Sequence, residues 1–182
     1  MPTPLYTQTT IAFIWDFDKT LIQSNQQDPL FSAYGIDASQ FWAEVDGLVG
    51  YYGERNITIA RDSAYLGHIL TYVNEGKFPG LTRKRLKELG AELEMSPGIP
   101  EFFQATQNHV REVPDYVHED IDVEHYVIST GIRPMIEGSP IGEIIDGIWA
   151  NDFIERPAMP GYLETLDMDH EAHPISMLGY MI

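Results

Sequence analysis

The sequence predicts an α/β protein: a parallel sheet with helical crossovers, interrupted after its first strand by an all-helical insertion. Three observations predict this. An apolar run, Ile11 to Trp15, stops sharply at Asp16-Phe17-Asp18-Lys19-Thr20. A second run, His125 to Ile128, stops at Ser129-Thr130-Gly131. Between them, residues 23–95 show helical spacing and no convincing strand. Short apolar runs rich in β-branched and aromatic residues, alternating with helical segments, are the pattern of buried parallel strands.

Taken in order, residues 1–8 read as a loose lead-in and Thr9 to Asp16 as the first strand. The polar stretch Gln23 to Pro29 reads as a loop placed to cover a bound substrate. Leu30, Phe31 and Tyr34 form a short amphipathic turn closed by Gly35. Asp37 or Ser39 caps a helix carrying Phe41, Trp42, Val45, Leu48 and Val49. Ile57 to Val73 is the most periodic segment, stopped by Gly76. Thr82 caps a short basic helix ending at Gly90, whose Arg83-Lys84-Arg85 and Lys87 read as a solvated face. Ser96-Pro97-Gly98-Ile99-Pro100 punctuates the end of the block. A helix then runs to about Arg111 with Phe102, Phe103 and Ala105 inward. Residues 114–123 read as an acidic surface connection, and Ile132 to Ile136 begins another helix. Ile144 to Ala150 suggests a third strand, and Ile175 to Ile182 a final one.

The chain has 182 residues, enough for one domain with an insertion. Its 28 Asp+Glu against 11 Lys+Arg give a net charge of −17, which argues against nucleic acid or an anionic membrane as partner. The absence of cysteine excludes disulfides, thiolate metal sites and a cysteine nucleophile. No apolar run reaches the length of a membrane span, and the N-terminus lacks a signal-peptide pattern. A cytoplasmic location is the expectation.

Ligands of open α/β sheets bind beyond the carboxyl ends of the strands, where Asp16 and Asp18 stand. If the extended conformation continues, both carboxylates share one face and repel unless a cation or proton intervenes. The alternative reading of the pair is an Asx-capped turn, and that of Ser129-Thr130 a helix cap.

Phe13 to Leu21, an apolar strand followed by Asp-x-Asp-x-Thr, resembles the first motif of the haloacid dehalogenase-like hydrolases. Val127 to Gly131 resembles the second, and Ser96-Pro97-Gly98-Ile99 the turn that often opens the helix before it. The resemblance implies a three-layer Rossmann-like core over residues 1–22 and 96–182, with residues 23–95 as an inserted helical cap. It implies phosphatase chemistry, since Asp18 stands where the phosphatases carry Asp. Asp16 would be the nucleophile that forms an aspartyl-phosphate. Asp18 would be the general acid and base. Thr20 would stabilise the turn, and Ser129 and Thr130 would hold the phosphoryl oxygens. The Asp16 carboxylate and the Asp18 carbonyl would bind Mg²⁺. The implied partner is a small phosphorylated metabolite, with Arg55 and Arg61 as candidates for gripping a second anionic group, the other and commoner reading of each being a surface or helix-face charge. Asp167, Asp169, His170 and His173 read as a solvated acidic tail able to trap adventitious metal.

The resemblance then runs out. The family also needs a later lysine and a later acidic pair, yet no Lys follows Lys87. Two expectations follow: a portion of a longer hydrolase, with little turnover alone, or a catalytically inactive phosphate-binding or regulatory module.

Overall fold

The computed structural model describes residues 9–156, 160–161 and 174–178. β1 (Thr10–Trp15), β2 (Asp122–Ile132) and β3 (Gly147–Asn151) form a parallel sheet in the order β1-β2-β3. The helical block supplies α1 (Asp28–Tyr34), α2 (Ala38–Gly53), α3 (Arg61–Asn74) and α4 (Arg83–Gly90). The chain continues through α5 (Glu101–Glu112), α6 (Pro114–His118) and, after β2, α7 (Arg133–Gly138). β4 (Phe153–Ile154) pairs antiparallel with β5 (Met177–Leu178). The expectations for residues 1–8, for Asp167, Asp169, His170 and His173, and for Gly179 to Ile182 lie outside the described residues.

The parallel register pairs Phe13 with His125 and Trp15 with Val127. Because side chains alternate along a strand, these four share a face. They meet Phe102 and Phe103 of α5 in an aromatic cluster, with Phe103 centred 4.6 Å from the His125 ring. The Trp15 indole N–H donates to His125 Nδ1 at 3.1 Å. The opposite face carries Ile14 and Ile128, 58% and 55% exposed. This corrects the reading of the first run as a buried strand. Among the described residues β1 has a neighbour on one side only, so its apolar character is not matched by burial.

Other boundaries moved for local reasons. α3 begins at Arg61 and not Ile57, because Ala60 is extended (ψ 148°). Phe102 is 42% exposed and Ala105 is exposed too, so of the three residues expected inward only Phe103 is buried. The expected acidic connection contains α6, started by Pro114 in its first turn, and the beginning of β2. β2 continues past Ser129-Thr130-Gly131, with its pairing to β3 shifted between Ile128 and Ile132. The caps fall as read: Asp37 accepts from the Gln40 N–H, and Thr82 from the Arg85 N–H.

The two ends of the helical block lie side by side. Ile22 pairs with Met95, and the Ser96 N–H donates to the Leu21 carbonyl at 2.8 Å. One apolar cluster fills the block, from Leu30 and Phe31 through Phe41, Leu66 and Ile69 to Leu86, and reaches Ile132 and Met135. A second, around Phe17, Leu21, Phe103, Val127 and Ile136, sits beneath the end of β1. α4 and α7 pack closely, and Arg83 is not simply solvated: its guanidinium grips Asp152 through two bonds of 2.8 Å.

Candidate active site

Past Trp15 the chain leaves the extended conformation. Phe17–Leu21 forms one wide helical turn, closed by the Ile22 N–H on the Phe17 carbonyl (3.2 Å) and broken where Asp18 is extended (ψ 127°) and Lys19 is left-handed (φ 60°). Phe17 and Leu21 are buried and pin this turn to the second core. The condition for two carboxylates on one strand face is therefore not met. The turn sends Asp18 inward to a half-buried position and leaves Asp16 exposed. A left-handed Lys is strain that the two buried anchors hold in place.

Thr20 Oγ1 donates to Asp16 Oδ2 at 3.3 Å, and the Thr20 carbonyl accepts from Ser96 Oγ at 2.8 Å. Thr20 thus links the first motif to the chain returning from the helical block. Asp18 takes two bonds from Gln26, one from its backbone N–H (2.8 Å) and one from its amide (3.3 Å). Burial holds the Asp18 carboxyl above the usual carboxylate range; the Gln26 bonds oppose this, and the Asp16 charge adds to it.

Ser129 and Thr130 stand on the adjacent strand, past the Trp15–Val127 pair. Ser129 Oγ accepts from the Gly131 N–H at 3.0 Å. The Thr130 carbonyl accepts from Tyr65 Oη of α3 (2.8 Å) and from Asn151 Nδ2 of β3 (2.5 Å). Burial pushes the Tyr65 phenol above its ordinary range, so it remains a donor. The helical block therefore reaches the second motif directly. Asp18, Lys19 and Thr130 on the sheet side face Trp42, Arg61 and Tyr65 across a cleft of about 280 Å³. Arg61 stacks 4.9 Å above Trp42 and pairs with Asp46 at 2.7 Å. Arg55 is absent from this lining; it lies over Tyr51 and donates to the Tyr51 carbonyl.

Asp18 lines this cleft, while Asp16 and Ser129 stand outside its lining; the Asp16 carboxylate and Asp18 carbonyl are hard oxygen donors of the kind that suit Mg²⁺, a cation usually held by one or two carboxylates plus substrate phosphate. Among the described residues no group of three or more His, Asp or Glu is placed to hold a metal.

Gln26, Tyr65 and Asn151 escaped sequence reasoning. Gln26 sits in a polar run of similar residues, Tyr65 and Asn151 in ordinary periodic segments, and nothing local marks them.

No family model matches the chain. A phosphoserine phosphatase, solved as a phospho-aspartyl intermediate analogue, superposes with a TM-score of 0.53 at 12% identity, over 94% of this chain and 63% of that one. A HAD family hydrolase from Salmonella enterica serovar Typhi reaches a TM-score of 0.49 at 15% identity, over 81% and 42%. The chain has the haloacid dehalogenase-like fold. An uncharacterized protein of Borreliella burgdorferi is 36% identical over 156 residues, 85% of this chain and 54% of that protein. The chain thus spans about half the length of the curated relative it matches.

Proposed function

We propose that the protein is a phosphomonoester hydrolase acting through an aspartyl-phosphate, with residues 23–95 as its cap. The observation that carries this reading is the pairing of an exposed Asp16 with an inward, hydrogen-bonded Asp18 at the end of β1, beside Ser129 on β2. Asp16 attacks phosphorus, and Asp18 gives a proton to the leaving oxygen. Asp18 then takes a proton from the water that hydrolyses the acyl phosphate. Ser129 and the adjoining N–H groups hold the phosphoryl oxygens, where donors aimed at developing charge contribute most. Mg²⁺, held by Asp16 and the Asp18 carbonyl, would offset the repulsion between two anions. The cleft of about 280 Å³ suits a small phosphorylated metabolite.

The experiment is hydrolysis of p-nitrophenyl phosphate by the full-length protein with Mg²⁺. Turnover that Asp16→Asn abolishes supports the reading; turnover unchanged in Asp16→Asn refutes it. The lack of any Lys after Lys87 favours a second arm. Loss of one preorganised donor costs ~10²–10³ in rate, so the 182-residue chain by itself should turn over poorly. Phosphate binding without turnover by the full-length protein would support the binding-module reading instead.

A further inference from the structure

Gln26 is the one polar side chain that spans both catalytic strand ends among the described contacts. It is fully buried, at 0% exposure. Its Oε1 accepts from the Ile132 N–H at 2.7 Å, just past Ser129-Thr130-Gly131. A backbone N–H can only donate, so this bond fixes the amide's orientation and turns Nε2 toward the Asp18 carboxylate. The Gln26 backbone N–H adds a second bond to that carboxylate. Gly131 leaves the room: a Cβ there would lie 1.5 Å from Gln26 Nε2 and 2.5 Å from its Cδ.

We infer that Gln26 is a positioning residue: its amide, seated against Gly131, holds the Asp18 carboxyl in a set orientation relative to the phosphoryl-holding end of β2. This inference rests on the phosphatase reading. A carboxyl that protonates a leaving group must be aligned with it, and misplacement by about 1 Å can cost ~10²-fold. An amide of this length accepts from one strand end and donates to the other without needing a bound proton. Methionine does neither; glutamate keeps the acceptor for Ile132 but loses the donor to Asp18.

The test uses the full-length protein, p-nitrophenyl phosphate and three variants: Gln26→Met, Gln26→Glu and Gly131→Ala. Each should lower kcat by roughly 10-fold to 100-fold, with KM within about twofold. Gln26→Met discriminates, because it adds no charge beside Asp18: a merely structural Gln26 predicts wild-type kcat for the folded variant, whereas Gln26→Glu also sets a second carboxylate against Asp18 and adds repulsion to the lost donor. The double variant Gln26→Met/Gly131→Ala should be no worse than its poorer single, since both remove the same contact. A folded Gln26→Met with kcat within twofold of the parent, or additive losses in the double variant, overturns the inference while leaving the phosphatase reading intact. A parent without Asp16-dependent turnover overturns that reading and this inference together.

Discussion

Gly90→Ala and Gly50→Ala are the same substitution in two helices, yet the structure assigns them opposite signs. In a helix interior, glycine is less favourable than alanine by about 0.8–1 kcal/mol. Gly50 of α2 has nothing within 4 Å of an added Cβ, so the full propensity gain should appear. Gly90 of α4 is different. A Cβ there would lie 2.1 Å from the Met135 carbonyl oxygen and 2.9 Å from its carbonyl carbon. Both belong to the backbone of α7, which cannot swing aside like the end of a side chain. Overpacking of this kind costs ~1–3 kcal/mol. Contact with backbone points to the upper half, and because Gly90 is the last residue of α4 the interior propensity gain does not offset it, so the net loss is about 2–3 kcal/mol. For a chain of this size each kcal/mol moves Tm by ~2–4 °C. Gly50→Ala should raise Tm by about 2–4 °C, and Gly90→Ala should lower it by about 4–12 °C. Scanning calorimetry or circular dichroism on matched samples reads both. A Gly90→Ala protein at least as stable as the parent would refute the close approach of α4 and α7.

The remaining predictions concern charge. His125 Nδ1 accepts from Trp15 and Nε2 meets Thr106 Oγ1, an arrangement for the neutral ring, and burial lowers its proton affinity against an opposing pull from Asp146. The unfolded chain then binds a proton that the folded one resists, so stability is complete above about pH 6.5 and falls as pH drops below it toward the lowered folded value. Urea midpoints from pH 8 to 5.5 should show this fall, and His125→Gln should flatten it; an equal slope in both would refute it. Arg83→Met breaks both bonds to Asp152, and at a site over a third exposed should cost about 1 kcal/mol, a Tm loss of ~2–4 °C. Arg61→Ala should raise KM several-fold for substrates with a second anionic group and leave kcat near the parent, as loss of uniform binding does; an unchanged KM refutes its role in the cleft.

Local signals carried far in this chain. The strand-turn at Asp16-Phe17-Asp18, the helix caps at Asp37 and Thr82, and the alternation of strands with helices could all be read directly, because each depends on residues within a few positions. Burial could not be read that way. Ile11, Ile14 and Ile128 look like core residues, but their exposure depends on which elements lie beside β1, a fact no local pattern contains. The carboxylate geometry likewise turned on a left-handed Lys19, held by Phe17 and Leu21 in a core shared with Val127 and Ile136.

The sequence by itself marked the groups to which the proposed chemistry is assigned: two carboxylates, a threonine and a hydroxyl at the ends of two strands. Only the tertiary structure decided what holds them. Gln26 reaches Ile132 across 106 residues of chain, and Tyr65 reaches Thr130 across 65. Such partners answer to distance and hydrogen-bond direction, and a polar run such as Asn25-Gln26-Gln27 carries no mark of which member will be buried. Asp16 and Asp18 were legible because a strand and its turn are local; their alignment was not, because it is built by residues that meet only when the sheet closes.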